Sequence, residues 1–469
     1  HLADDAIGVA DLSATGTASS STFLRGDNSW ATAGGATDIG GLTDGFTTGT
    51  ANTGLGSTAL DSRTSGNWNT AVGANALTAL TSGDDNTAVG FEAGVAVTEG
   101  IENVVVGSYA FRANTTGDKN VAIGQSALRF ATTSDYNTAV GYNSLRATTT
   151  GARNVGIGYQ AGVTNQVGSY ITAIGYQACY SQTGDNQTAV GYKALQDANG
   201  SSAACTAVGY KAMSGNTTGA NNTAVGSDVL DANSTGSYNV AVGRNALGAN
   251  TTASTNTAVG YDCLKNNTTA AQNTAVGTNA GLTNTTGAPI TAVGYEALRN
   301  NSTGTNNTAT GKDAARACTT GYNNSGFGHG AIENVTTGVN NTGVGYNSQA
   351  SSATVYNEFT LGDSNVSNLR CQDTSISTVS DERDKTNIVD IPLGLTFLNT
   401  VRPVSFDWSA RDGSKVGKKD FGFIAQELKI AADATDYANH MRLVHEDNPD
   451  KLEADPMKMF PILVKALQE

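Results

Sequence analysis

The chain has 469 residues, of which 56 are glycine, 7% are aromatic and 14% are charged, and its formal net charge is −14. So few large side chains exclude a thick globular core, and the negative charge disfavours nucleic acid as a partner. No run of about 18 apolar residues occurs, so we expect no membrane insertion, and no signal peptide opens the chain. The chain starts at His1 without methionine and stops at Glu469 within a helical pattern, so we expect a processed product or part of a longer chain.

Residues 1–50 lack a regular repeat and are predicted to form an attachment or lead-in segment. Within them, residues 12–33 are rich in Ser and Thr and resemble linker or attachment segments of bacteriophage tail fibre proteins. The resemblance implies that this segment contacts other tail or baseplate proteins.

A 17-residue repeat fills residues 51–365, centred on a glycine within Asn-Thr-Ala-Val-Gly. The glycine runs from Gly56 to Gly362, and the 306 residues between them equal 18 periods of 17; one copy of 16 is followed by one of 18. A fixed short period with β-branched centres and Gly-, Asn- and Thr-rich turns is typical of stacked strands. We therefore predict a parallel β-solenoid with two short strands and two turns per coil, and a rod of roughly 85 Å from coils about 4.8 Å apart.

Positions within one repeat can be assigned roles, illustrated by the copy at Gly73. The Val or Ile before the glycine (Val72) is predicted to point inward, together with the following Ala76 and Leu77. Asn stands four residues before the glycine (Asn69) in 14 of 19 copies and is expected to form a hydrogen-bonded ladder. The glycine is expected at a positive φ or a close backbone approach, and the variable residue after it, Tyr in eight copies, at a surface or inter-chain position.

The phrase Asn-Thr-Ala-Val-Gly-Tyr-x-Ala-Leu is similar to the head repeats of trimeric autotransporter adhesins. The resemblance implies a left-handed parallel β-roll with three rolls packed about one axis, and therefore a homotrimer. Trimerisation is physically reasonable because a thin single-chain roll has little core, and packing against copies buries a further face.

Residues 380–469 differ in composition from the repeat. They hold 12 Lys and Arg and 16 Asp and Glu in 90 residues, whereas the preceding 379 residues hold 15 and 25. Their mixed pattern predicts a small α+β domain with strands at 387–391 and 403–408, a helix at 423–432 and the start of another helix at 456–468.

Three motifs in this domain resemble the C-terminal intramolecular chaperone of phage endosialidases and tail fibres: residues 380–388 (SDERDKTNI), 402–404 (RPV) and 422–427 (GFIAQE). The resemblance implies that the domain trimerises, guides a parallel β-fibre to fold and then cuts itself off. It implies Ser380 as the nucleophile, Lys385 as its general base and Val379–Ser380 as the cleaved bond, preceded by a linker at 366–379. The family continues into long C-terminal helices, whereas this chain stops where such a helix begins.

The proposed dyad is also plausible chemically, because a Ser hydroxyl needs a base and a Lys desolvated at a domain junction can have its pKa lowered. The alternative interpretation is a solvated Ser-Asp turn followed by an unrelated Lys. His440 and His445 lack further ligand spacing, so no metal site is predicted, and no cofactor is expected. The five cysteines are scattered and odd in number, and we interpret them as reduced, buried residues.

The sequence thus predicts a mainly β protein, a homotrimeric parallel β-solenoid followed by a small α+β chaperone domain. We expect a structural and adhesive bacteriophage tail fibre in the virion tail, outside the cell, that binds a host cell-surface receptor, either a glycan or a surface protein. Catalysis is expected only as one autoproteolytic event, with no turnover on external substrates. A cellular surface adhesin or extracellular filament built from the same roll is the alternative. A glycan-degrading tailspike is disfavoured because no acidic pair recurs in the repeat.

Overall fold

The structure is a computed structural model that describes residues 51–181, 184–197, 204–366, 368–370, 380–409, 416–446 and 452–469, and the backbone of three short strands before residue 47. Val379, Cys371 and most of the predicted lead-in segment lie outside the described residues. The chain divides into two compact units, His1–Asn273 and Thr274–Glu469. Both contain short parallel strands, so the predicted mainly β parallel solenoid is confirmed. The predicted domain boundaries stay predictions.

Sixteen strands of the first unit lie in the part of the chain that the structure describes, and from the fourth onward each comes from one coil. They are β1 Thr22–Leu24, β2 Trp30–Thr32, β3 Gly45–Phe46, β4 Thr53–Leu55, β5 Thr70–Val72, β6 Thr87–Val89, β7 Val104–Val106, β8 Val121–Ile123, β9 Thr138–Val140, β10 Val155–Ile157, β11 Thr172–Ile174, β12 Thr188–Val190, β13 Thr206–Val208, β14 Thr223–Val225, β15 Val240–Val242 and β16 Thr257–Val259. β1 pairs with β2, and β3 with β4, in antiparallel fashion. The pairs from β4 to β16 are parallel.

Six further coil strands open the second unit, and its C-terminal part mixes helices with two-stranded sheets. The coil strands are β17 Thr274–Val276, β18 Ile290–Val293, β19 Asn307–Thr310, β20 Ser325–Phe327, β21 Thr342–Val344 and β22 Phe359–Leu361. The later elements are a 3₁₀ turn at Glu382–Asp384, α1 Leu395–Leu398, β23 Val404–Asp407, β24 Lys419–Gly422, α2 Ala425–Asp433, α3 Ala438–Met441, β25 Val444–His445, β26 Glu453–Ala454, a 3₁₀ turn at Pro456–Met459 and α4 Phe460–Gln468.

The register of the coils follows the repeat, since Thr172 pairs with Thr188 and Thr188 with Thr206 across the irregular copy. The prediction of two strands per coil is wrong, because each coil has one three- or four-residue strand among its described residues. The opposite side consists of turns with left-handed residues, for example Asn75 at φ 60° and Leu77 at φ 46°. Non-glycine residues rarely adopt this conformation, and Asn tolerates it best.

The core of each coil is built from small residues. The central strand alanine is buried, as Ala71 shows, and so are the predicted Ala76 and Leu77. The Val or Ile before the glycine points outward instead, with Val89 and Ile123 each 37% exposed, so its predicted inward position is wrong. The same outward position is half-buried or exposed in the other copies assigned inward: Val72, Val106, Ile157 and Ile174.

The predicted asparagine ladder is confirmed, and Asn120 illustrates its contacts. The Asn120 backbone N–H donates to Asn103 Oδ1 at 2.9 Å, and the Asn137 N–H donates to Asn120 Oδ1 at 2.9 Å. Asn120 Nδ2 donates to the carbonyl of Ser134, one coil further, at 2.8 Å. Buried amides are thereby satisfied by the coils on both sides, which explains why a polar residue lies inside.

A second asparagine ladder was not foreseen from the sequence. It lies seven residues after the repeat glycine, where Asn233 Nδ2 donates to Asn216 Oδ1 at 2.8 Å and Asn250 Nδ2 donates to Asn233 Oδ1 at 2.8 Å. Both ladders make each coil depend on its neighbours, as expected of a repeat protein whose stability is largely a sum of nearest-neighbour terms.

Both reasons predicted for the repeat glycine apply together. Gly141 has φ +132°, and a Cβ there would lie 2.4 Å from the carbonyl oxygen of Gly158. A side chain would therefore collide with the next coil, and the backbone would be strained as well.

The C-terminal elements enclose a small apolar core that includes Phe397, Leu428, Met441 and Ile462. The predicted strand at 403–408 and helices at 423–432 and 456–468 are confirmed within a few residues. No strand forms at 387–391, where the first residue, Asn387, has φ +56°. Among the described residues, no helix is long and apolar enough to cross a membrane.

Candidate functional site

The predicted dyad lies at the start of the C-terminal part. Ser380 precedes the 3₁₀ turn, and Asp381 caps that turn by accepting a hydrogen bond from the Arg383 backbone N–H at 2.9 Å. The turn reverses the chain, so that Lys385 Nζ lies 2.6 Å from Ser380 Oγ and 3.1 Å from the Ser380 carbonyl oxygen. The two predicted residues are thus in direct hydrogen-bond contact.

Asp381, the acidic residue next to the dyad, forms an ion pair with Arg383. Arg383 donates from Nε to Asp381 Oδ1 at 3.0 Å and pairs with Asp381 Oδ2 at 2.6 Å. This hydrogen bond lowers the pKa of the Asp381 carboxyl below its usual value. Asp381 is thus engaged by Arg383, whereas Lys385 Nζ contacts the hydroxyl of Ser380.

A Lys can activate a Ser only as a neutral amine, and removal from water favours the neutral form. Ser380 and Lys385 are both exposed in the single chain. The desolvation assumed at a domain junction is therefore not supplied by the described part of one chain. Lys385 also borders an open groove of about 630 Å³, lined by residues 385–393 on one side and by residues from 437–441 and 457–462 on the other.

An ion pair joins the other two motifs of the domain. Arg402, just before β23, donates from Nε to Glu427 Oε2 at 3.0 Å, and its second nitrogen contacts Glu427 Oε1. The hydrogen bond from Arg402 lowers the pKa of the Glu427 carboxyl. The RPV and GFIAQE segments are thus linked directly, although 25 residues separate the two side chains.

Large apolar side chains remain exposed over the C-terminal part. Val389, Phe421 and Leu467 are each at least 80% exposed, and others are exposed by more than a third. These others include Ile388, Leu395, Ile430, Met457 and Phe460.

Two features on the solenoid surface were not foreseen from the sequence. Five tyrosines that follow repeat glycines stack with ring centroids 5.2–5.3 Å apart, namely Tyr142, Tyr159, Tyr176, Tyr192 and Tyr210. Arginines of successive coils also form a row with interleaved aromatic rings. The eight tyrosine copies and the 17-residue spacing of the arginines were the available signals.

Potential metal ligands show no clustering in the part of the chain that the structure describes, where no group of three or more His, Cys, Asp or Glu residues could hold an ion. Four cysteines of the described residues are buried and form no disulfide, namely Cys179, Cys205, Cys263 and Cys318. Burial raises the pKa of the Cys179, Cys263 and Cys318 thiols to about 12. The predicted burial of these four is confirmed, and their reduced state stays a prediction.

Fold and site together define a β-solenoid repeat protein with a small C-terminal α+β region that carries a Ser-Lys contact. Residues 380–437 match the family model described as chaperone of endosialidase. This range contains all three motifs and both residues of the dyad. No curated protein sequence matches the chain.

Proposed function

We propose that the protein is a homotrimeric, receptor-binding bacteriophage tail fibre whose C-terminal chaperone domain assembles the trimer and then cuts itself off. The observation that carries this proposal is the combination, in one chain, of a long parallel β-solenoid with the chaperone match at 380–437. Parallel strands that are distant in sequence pair slowly during folding. A domain that first brings the chains together would therefore speed the assembly of a parallel fibre.

The aliphatic row before the repeat glycine supports self-association. Its members include Val89, Ile157, Val225, Val276 and Val344, each 37–38% exposed. The row recurs in nearly every coil of both units, so a partner that covers it needs the same period. Another copy of the chain has that period, and burial of the row would add roughly 25 cal/mol per Å² of apolar surface.

The exposed apolar side chains of the C-terminal part support its role in assembly. Three copies that packed these surfaces together would remove Phe421 and Leu467 from water. The same packing could cover the exposed Ser380 and Lys385 and supply the desolvation that the dyad needs. Cleavage would then follow assembly, because only the trimer would contain a competent site.

Cleavage requires only Ser380, Lys385 and one water molecule. Lys385, as the neutral amine, accepts the proton of Ser380 Oγ, which attacks the carbonyl carbon of Val379. The C–N bond breaks as the proton passes to the Ser380 nitrogen, which leaves an ester between the Val379 carbonyl and Ser380 Oγ. Water hydrolyses the ester to a Val379 carboxylate and a free Ser380.

Sedimentation equilibrium of the full chain tests the trimer. We expect a trimer for the wild type and a loss of trimer when Val225→Glu and Val242→Glu place charges in the aliphatic row. The matched control carries Thr235→Glu and Thr252→Glu on exposed turns of neighbouring coils and should stay trimeric. A monomeric wild type, or row variants that remain trimeric, would refute the proposed packing.

Electron microscopy of virions labelled with antibody against the solenoid tests the tail location, and labelling of uninfected cells would favour the cellular adhesin.

A further inference from the structure

Three arginines form one row on the surface of the first unit. Arg112, Arg129 and Arg146 lie 17 residues apart, each five residues after a repeat glycine. Backbone hydrogen bonds fix their register, since the Ala113 N–H donates to the Arg129 carbonyl and the Phe130 N–H to the Arg146 carbonyl, both at 3.1 Å. Neighbouring parallel strands lie about 4.8 Å apart, so three guanidinium groups follow one another at the spacing of a coil.

Most of this positive charge is not neutralised within the chain. Arg112 pairs with Glu92 at 2.6 Å. Arg129 and Arg146 lie over the ring of Phe130, with 5.4 Å and 4.8 Å to its centroid, and no carboxylate among the described residues forms an ion pair with either of them. An aromatic ring holds a guanidinium in place but leaves its charge and its outer N–H donors available.

In the second unit, the arginines at the same position of the repeat are paired with carboxylates. Arg299 lies 3.6 Å from Glu296, and Arg316 lies 2.5 Å from Glu333 and 3.9 Å from Asp313. Their backbone register is equivalent, because the residue after Arg299 donates to the Arg316 carbonyl at 3.1 Å. The absence of an ion pair at Arg129 and Arg146 is therefore specific to the row in the first unit and is not a general consequence of the coil geometry.

The sequence around the two rows differs in charge. Residues 104–157 contain five Lys and Arg and two Asp and Glu, a net of +3. The equally long stretch 291–344 contains three of each and is neutral, and the whole chain carries −14. Like charges aligned across neighbouring strands are destabilising, so an anionic ligand would relieve a repulsion that the fold otherwise retains.

We propose that Arg112, Arg129 and Arg146 form a binding site for a linear acidic polysaccharide that runs along the coil stack. Carboxylate or sulfate groups of the polymer would be held by guanidinium donors of successive coils, which suit such groups because the donors form a planar fork. Nucleic acid is disfavoured because its binding depends on many phosphate contacts, which three arginines on an acidic chain do not supply. This inference rests on the proposed receptor-binding function and names the chemical class of the receptor.

The test measures binding of the full chain to four immobilised polymers of similar length. They are dextran sulfate, polygalacturonate, uncharged dextran and an oligothymidylate. We expect binding to at least one acidic polysaccharide, weakening with salt, and none to dextran. The Arg129→Gln, Arg146→Gln variant should lose about 100-fold in affinity, since each of the two lost hydrogen bonds to a charged group contributes about a factor of ten. The Arg299→Gln, Arg316→Gln variant should bind like the wild type.

Three results would overturn the site: no binding to either acidic polysaccharide, equal affinity of the wild type and the Arg129→Gln, Arg146→Gln variant, or binding of the oligothymidylate as tight as that of both acidic polysaccharides. Should the Arg129→Gln, Arg146→Gln variant misfold, Arg146→Gln alone and the charge-conserving Arg129→Lys, Arg146→Lys variant replace it. The lysine variant is expected to bind more tightly than Arg146→Gln but more weakly than the wild type, because it keeps the charge and loses the planar fork. Sedimentation and cleavage are measured on the same samples. A trimer that matures but binds no acidic polymer refutes the ligand and leaves the fibre proposal standing, whereas a monomer that binds refutes the fibre and retains the site.

Discussion

Asn120→Ala should weaken the solenoid locally and strongly. The substitution removes Asn120 Oδ1 from the Asn137 N–H and Nδ2 from the Ser134 carbonyl, two buried contacts at 2.9 and 2.8 Å. The ladder contact from the Asn120 backbone to Asn103 is kept. A buried polar group left without a partner costs roughly 1–3 kcal/mol, so two such groups should cost about 2–6 kcal/mol.

Native-state hydrogen exchange measures this loss where it occurs. Long repeat arrays need not unfold in one step, so a single melting temperature would average over distant coils. Protection of the Asn137 amide should fall by about 30-fold or more, because each 1.4 kcal/mol is a factor of ten. The control Thr116→Ala changes an exposed turn residue of a neighbouring coil and should leave protection unchanged. A change under about 0.5 kcal/mol at Asn137 would refute the view that the ladder holds adjacent coils together.

Three further outcomes follow from the structure. Gly141→Ala should cause local unfolding or failed assembly, seen as new protease sites, because its Cβ would lie 2.4 Å from the Gly158 carbonyl oxygen at φ +132°; wild-type resistance would contradict the close approach. Below about pH 4.3 the C-terminal part should lose stability in urea. The pKa of Glu427 is lower in the folded than in the unfolded protein, so its ionised carboxyl stabilises the fold at pH values above the unfolded pKa. This contribution is lost as the pH falls through the folded pKa. Glu427→Gln should remove that component of the pH dependence, and an identical acid profile would exclude the Arg402 pair as its source. The buried thiols of Cys179, Cys263 and Cys318 should resist a thiol reagent until the protein unfolds. Rapid labelling of the folded protein would contradict their burial.

The repeat was predictable because it is local and periodic. The 17-residue spacing determined the parallel register, and the 16- and 18-residue copies showed where it would be restored. The orientation of the strand was not predictable from the same motif. Alternation permits either Asn69 and Ala71 or Thr70 and Val72 to point inward, and hydrophobicity alone favours the wrong choice. Asn69 lies inside because adjacent coils supply its partners, for example the Gly83 carbonyl oxygen at 2.8 Å.

The candidate site shows the same limit between local and distant contacts. Ser380 and Lys385 are five residues apart, so a single turn brings them together, and the motif was sufficient to suggest the pair. The contact of Arg402 with Glu427 depends on which chain segments become neighbours in space, because 25 residues separate the two side chains. The sequence contained those residues but did not state that they touch.

Self-cleavage by the Ser380–Lys385 pair is tested by the mass of the protein after expression of the wild type, Ser380→Ala and Lys385→Ala. Ser405→Ala, an exposed serine in β23, is the matched control. We expect the wild type and the control to yield a fragment that ends at Val379, whereas both dyad variants should stay intact and trimeric. An intact wild type, or a dyad variant cleaved at the same bond, would contradict it.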